Sequence, residues 1–344
     1  RLLPAAELAR AYRRALKRAP HLLSYGSELG DEKLRSVLGT YLRETRGVPI
    51  DTDGLMVTRG SQMALFLLGR VLARPDSVVV VEGLGYRPCW EALRLSGLRL
   101  VPVPVDAQGL VVDALPIPVH VVCVCPSHQF PIGVSMSVQR RAALLSFARK
   151  HGAVIVEDDY DGEFRYDGTP LQALRSTATA DDVFYVGTFS KCMLPALRLG
   201  FIVAPQWAMP ALITAKNCLD WHCPTLTQMA VARFIADGHL ARHVRKLRGV
   251  YRKRRDLIEE ILRSDFSGEL SPMQSHYGMH VAAFATLPKR LERVTARLLE
   301  LNVHLHSFER YFFGAPTSEG LVFGYGAADL KDIEQGLKAL RDVL

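Results

Sequence analysis

Between residues 55 and 216 the chain repeats one pattern, a short unbroken run of apolar, mostly β-branched residues followed by apolar positions at helical spacing. Unbroken apolar runs suit strands buried on both faces, and their alternation with helices predicts a mostly parallel sheet covered on both sides. The predicted strands are 55–58, 78–82, 98–103, 119–125, 153–157, 183–188 and 199–203, with helices at 62–72, 86–95, 138–150 and 207–216. From Leu226 the pattern becomes one long helix reaching Leu262, with a break at Asp237-Gly238. Short strands at 279–284, 303–306 and 321–325 and helices at 288–301 and 330–343 follow. The expected organisation is a large α/β domain over 48–225 and a smaller α+β domain over 1–47 and 226–344, since the amphipathic N-terminal helix has no place in the larger sheet.

Composition fits this picture: at 344 residues, 49% hydrophobic and 23% charged, the chain has the make-up of a soluble globular protein of about two domains. No apolar run approaches the roughly 20 residues that cross a bilayer. The N-terminus also lacks a signal peptide's apolar stretch and cleavage site, so the expected location is cytoplasmic. The six cysteines show no paired CxxC spacing, which disfavours a zinc site or a disulfide framework and makes buried thiols the expectation. The net charge of +8 is concentrated at 242–255, where Val244, Leu247 and Tyr251 continue into Leu257, Ile258 and Ile261 at helical spacing. One face of that helix therefore packs and the rest is solvated, or contacts DNA or a partner.

Chemistry gathers where the predicted strands end. The run 183–188 leads directly into Ser190-Lys191, with Arg198 beyond it. Removed from water, a lysine amine becomes the nucleophile that imine formation with an aldehyde requires, and Ser190 and Arg198 can both reach a phosphate. The run at 153–157 ends in Asp158-Asp-Tyr160-Asp, an acid and a phenol suited to a pyridine nitrogen and a phenolic oxygen, although such a cluster also caps turns or binds metals. At Thr58-Arg-Gly60-Ser61-Gln62 a strand end opens a helix, and the backbone amides at such a start cradle phosphate. Tyr86 follows a fourth strand end and offers a ring to stack, while Ser127-His128-Gln129 follows a fifth. In open α/β sheets the carboxyl ends of strands form the ligand crevice.

The order of these motifs resembles the fold-type-I pyridoxal-phosphate (PLP) enzymes, the aspartate-aminotransferase-like transferase fold. Their wording resembles the aminotransferase-like effector domain of the MocR/GabR transcription regulators of the GntR superfamily. The phrases that carry the resemblance are TRGSQMAL, EGLGY, PSHQFPIG, EDDYDGEFRY, GTFSK with LRLG, and DGHLARHVRKLR with YRKRRD, spread over nearly the whole chain. The resemblance implies Lys191 as the Schiff-base lysine, Asp158 as partner of the pyridine nitrogen, Tyr160 as partner of the phenolic oxygen and Tyr86 as the stacking ring. It also implies that Ser61, Gln62, Ser190 and Arg198 hold the phosphate. Phe130 stands where aminotransferases carry an asparagine before the loop proline, so His128 either supplies that contact or is a structural hydrogen-bonding residue. Val322 stands where aminotransferases carry the arginine that clamps a substrate α-carboxylate.

Two functions remain open at this point. In one, PLP and an amine or amino-acid effector set the closure of a sensor that works as a head-to-tail homodimer. DNA would then be read by a winged-helix domain that this chain does not include. In the other, the chain is a PLP-dependent aminotransferase of amino-acid metabolism.

Overall fold

The computed structural model describes residues 2–17, 22–72, 74, 76–167, 171–177, 181–287 and 291–344. Helices α1 (Ala5–Leu16) and α2 (Glu32–Arg46) precede β1 (Leu55–Thr58) and α3 (Ser61–Leu72). Next come β2 (Val78–Glu82), α4 (Arg87–Leu95), β3 (Arg99–Val103) and a small hairpin of β4 (Val105–Asp106) and β5 (Gly109–Leu110). Then follow β6 (Val121–Val124), α5 (Val138–His151), β7 (Val154–Asp159), α6 (Leu174–Thr177), β8 (Val183–Thr188), β9 (Gly200–Val203) and α7 (Met209–Asp220). The remainder is α8 (Thr225–Ala236), α9 (His239–Asp265), β10 (Leu270–Pro272), β11 (His280–Ala285), α10 (Leu291–Glu300), β12 (His306–Ser307), β13 (Gly320–Gly324) and α11 (Leu330–Val343).

Seven strands form one sheet in the order β1-β9-β8-β7-β6-β2-β3. Only β9 runs against its neighbours, pairing antiparallel with both β1 and β8. β1, β2, β6, β7 and β8 therefore point the same way and end at one edge. Alternation along each strand sets the layers. Val79, Val81, Val121, Cys123, Phe184 and Val186 face α3, α4 and α7, whereas Val80, Val122, Val124, Ile155 and Val183 face α5. A second sheet, β10-β11-β13-β12, packs against α9 through Val281, Ala283, Leu321 and Phe323. α1 lies along α8 within the same core, through Leu8, Ala11 and Ala15.

The break expected at Asp237-Gly238 is present, because Gly238 takes a left-handed conformation (φ 70°) between α8 and α9. The strand expected at 303–306 is only His306–Ser307, and Trp207 lies in the turn before α7. Of the helix expected over 288–301, residues 288–290 lie outside the described residues. The basic helix buries Val244, Leu247, Tyr251 and Ile258 as its spacing predicts. It also buries Arg254, which donates to Tyr325 O (2.9 Å), and Arg255, which pairs with Asp167 (2.6 Å). The expectation of buried thiols holds for five cysteines, while Cys218 on α7 is exposed. Among the described residues no helix is long and apolar enough to cross a membrane.

Candidate functional site

The five parallel strand ends bring the sequence motifs to one crevice. At the end of β7, Asp158 is 7% exposed, and its Oδ1 has no hydrogen-bond partner among the described residues. Burial, together with the negative charges of Asp159 and Asp161, pushes its carboxyl up to about 7, and the positive charge of Lys191 opposes this. A buried carboxylate oxygen without a donor is expensive, so the fold has left a position that an N–H should fill.

Lys191 follows β8 in a turn and is exposed. Burial was expected to desolvate its amine, but β8 ends at Thr188 and the turn lifts Lys191 out of the sheet. Its positive charge is felt at both Asp158 and His280. Ser190 is held in the same turn, accepting from Thr188 Oγ1 at 3.0 Å while its own N–H donates to that oxygen at 3.1 Å.

At the start of α3, Gly60 has φ +79°, and a Cβ there would stand 3.2 Å from Arg198 Nη2. Arg198 is itself left-handed (φ 48°) and donates to Arg59 O at 3.3 Å. Ser61 is half-buried and Gln62 exposed beside them. Close backbone approach, helix-start amides and a guanidinium are the parts from which anion cradles are built.

Tyr86 begins α4 and is partly exposed, its ring meeting Phe130 edge-on at 5.9 Å. Burial and the negative charge of Asp158 raise its pKa, and the positive charge of Arg198 counters them. Tyr160 is half-buried, with its hydroxyl 3.0 Å from His128 Nδ1. That nitrogen also lies 2.9 Å from Asp161 Oδ2, and Nε2 is 3.4 Å from Ser275 Oγ. His128 thus spends both nitrogens on protein partners and orients Tyr160. His128, Asp161 and His280 offer ligand atoms within 4.8 Å of one another, but His128–Asp161 and His280–Pro131 O (2.9 Å) are already hydrogen-bonded.

Two residues of the crevice escaped the sequence reading. Glu82, at the end of β2, is pushed up to about 8 by burial, while Cys125 N and Gln129 Nε2 (3.3 Å each) favour its charged form. An acid closing an all-valine strand was the available signal. Arg46 bonds Asp159 Oδ2 at 2.7 Å and Ser127 Oγ at 2.8 Å, linking α2 to two of the strand ends. Nothing local in the sequence marks that pairing across 113 residues.

The donor set defines a class. A buried acceptor without a donor, an amine and a helix start beside a guanidinium at one edge suit a phosphorylated heteroaromatic aldehyde. The chain belongs to the aminotransferase class I and II family, whose model matches residues 2–318. With that membership comes pyridoxal 5'-phosphate as the cofactor.

Among its relatives, the "Probable rhizopine catabolism regulatory protein MocR" of Rhizobium meliloti is 32% identical over 93% of this chain and 65% of its own length. The HTH-type pyridoxine biosynthesis transcriptional regulator PdxR of Corynebacterium glutamicum is also 32% identical, over 97% of this chain and 72% of its own. The chain thus spans about two thirds of these regulators. Among solved structures, the α-aminoadipate aminotransferase LysN of Thermus thermophilus, complexed with N-(5'-phosphopyridoxyl)-L-leucine, superposes with TM-score 0.90 at 30% identity. That match covers 100% of this chain and 89% of the enzyme.

Proposed function

We propose that the chain is the ligand-sensing part of a transcription regulator, holding PLP on Lys191 and responding to an amine or amino-acid effector. The observation that carries this reading is the match to two regulators over more than nine-tenths of the chain. When bound, the cofactor supplies an aldehyde that condenses with primary amines and a ring that withdraws electrons from the adjoining carbon. Lys191 gives the amine that anchors it. Asp158 Oδ1 accepts the ring N–H, and Tyr160, oriented by His128, donates to the phenolic oxygen. Tyr86 covers the ring, and Ser61, Gln62, Ser190 and Arg198 take the phosphate. Residues 48–225 carry these groups, and a homodimer places two such sites head to tail.

The similarity to LysN supports a second reading, an aminotransferase that turns its amino donor over. One experiment separates the two. PLP-loaded protein should absorb in the violet, and Lys191→Ala should remove that band. On addition of a panel of amines and amino acids, a spectral shift without keto-acid release supports the sensor. Keto acid formed with loss of the band supports the enzyme, and a colourless wild type refutes both.

A further inference from the structure

The second sheet borders the crevice at His280, which feels the positive charge of Lys191, and the pairing of that sheet fixes what it presents. Val322 lies directly across from Ala282 on β11 and from His306 on β12. Directly opposed residues share a face, as do alternate residues along a strand. Val322, Ala282, His280 and His306 therefore share one face, while Leu321, Phe323, Val281 and Ala283 turn to the main core.

The Val322 face packs into a separate cluster with Leu84, Phe130, Ile132, Phe308 and Tyr311. Phe130 joins this cluster to the cofactor side. It meets Tyr86 edge-on at 5.9 Å and Tyr160 at 6.2 Å on one flank, and His280 at 5.2 Å and Tyr311 at 4.9 Å on the other. The wall is pinned by Gly85 N to Tyr311 O and Phe313 N to Gly83 O, 2.9 Å each.

Val322 is only 7% exposed and has no donor to offer a carboxylate. Among the described residues, the cations nearest Val322 lie outside its buried cluster. Arg310 is exposed with its guanidinium 5.5 Å from the Tyr311 ring, and Arg87 is exposed and pairs with Glu91 at 3.6 Å. Arg254 donates to Tyr325 O and Gly326 O at 2.9 and 3.1 Å, past the end of β13. His280 reaches Pro131 O, and burial lowers its pKa well below the usual histidine value, leaving a neutral imidazole. A carboxylate placed against Val322 inside this buried cluster would lose its hydration without a charged partner.

We infer that the ligand admitted beside Lys191 is a primary amine lacking an α-carboxylate, with an uncharged aromatic or apolar substituent seated on the wall of Phe130, Tyr311 and Val322. This rests on the reading above that Lys191 carries the cofactor. Val322 is then the position that sets ligand class.

The test is calorimetric titration of the PLP-loaded chain with matched pairs, phenethylamine against phenylalanine and tyramine against tyrosine. Each amine should bind at least about tenfold more tightly than its amino acid, the scale of one unmet charged hydrogen bond. Val322→Arg should narrow or reverse that ratio by restoring a carboxylate partner. Equal or tighter binding of the amino acids by wild type overturns the inference, as does absence of binding by every amine. If Val322→Arg does not fold, the wild-type ratio alone decides. Violet absorbance recorded before titration separates the two levels, because a chain that takes up no PLP fails the cofactor reading beneath this one.

Discussion

Asp158 and Asp159 are neighbours at the end of β7, leave it on opposite faces, and are treated differently by the fold. Asp159 Oδ2 collects Arg46 Nε at 2.7 Å and the Tyr185 hydroxyl at 2.6 Å, and the guanidinium matches its charge. Asp158 has no ion pair among the described residues, and its Oδ1 is buried without a donor. Asp159 Oδ1 also lacks a hydrogen bond, but the carboxylate it belongs to is paired. Two acids that look alike in Glu157-Asp-Asp-Tyr160 thus divide into a framework group, charge-matched within the chain, and a group without a partner among the described residues, as the cofactor role proposed for Asp158 requires. That division has measurable consequences on each side.

The largest effect belongs to the framework. Arg46→Met should destabilise the chain by about 3–5 kcal/mol, because it strands a buried carboxylate without its cation. Denaturant unfolding with and without PLP measures it, and the loss should be present in both conditions. A loss under about 1 kcal/mol would place Asp159 with the exposed ion pairs and dissolve the contrast.

Next comes pH. The Asp158 carboxyl is pushed up to about 7 by burial, from an unfolded value near 4. A folded pKa above the unfolded one means the folded chain holds the proton more tightly. The stability this gives is complete below about pH 4 and is lost as pH rises through 7. For about three units the change is on the order of 4 kcal/mol. Glu82, raised to about 8, adds loss in the same direction. Melting temperatures of the PLP-free chain should therefore fall between pH 5 and 8, and Asp158→Asn should flatten the curve. Superimposable curves for variant and wild type would remove Asp158 as the cause.

The same variant should cost PLP affinity. An amide in place of the carboxylate gives up a charge-assisted bond to the ring N–H, on the order of 1.5–3 kcal/mol, or about ten- to a hundredfold in Kd. Affinity and PLP-free stability above pH 7 should then move in opposite directions, as expected of a group that waits for its partner.

How much of this was legible beforehand depended on range. The strands at Leu55–Thr58, Val78–Glu82 and Val183–Thr188 match the sequence reading residue for residue, since each is an unbroken apolar run between polar turn residues. In the second sheet β10 went unread, β12 is two residues long and β13 is bounded by Gly320 and Gly324, so periodicity had little to work on and the boundaries of the expected strands slipped by one to three residues. That the strand-end motifs would share an edge followed from parallel order alone. The tasks of Arg46 and His128 did not follow, because Arg46–Asp159 and His128–Ser275 join residues 113 and 147 positions apart. Only the assembled fold shows that His128 is shared between Asp161 and Tyr160.

The smallest prediction isolates the phosphate cradle. Gly60 and Gly97 are both left-handed, at φ +79° and +83°, so alanine at either should cost about 1–2 kcal/mol of backbone strain. Their surroundings differ, since a Cβ at Gly60 stands 3.2 Å from Arg198 Nη2, whereas a Cβ at Gly97 meets nothing within 4 Å. Gly60→Ala should therefore lose stability and, by displacing the guanidinium and blocking close approach to the α3 amides, weaken PLP several-fold. Gly97→Ala should lose only stability. Spectrophotometric PLP titration of the two variants, compared at matched fraction folded, reads the difference. If both weaken PLP equally, Gly60 belongs with Asp159 and Arg46 in the framework, and the phosphate cradle has to be sought elsewhere along the crevice.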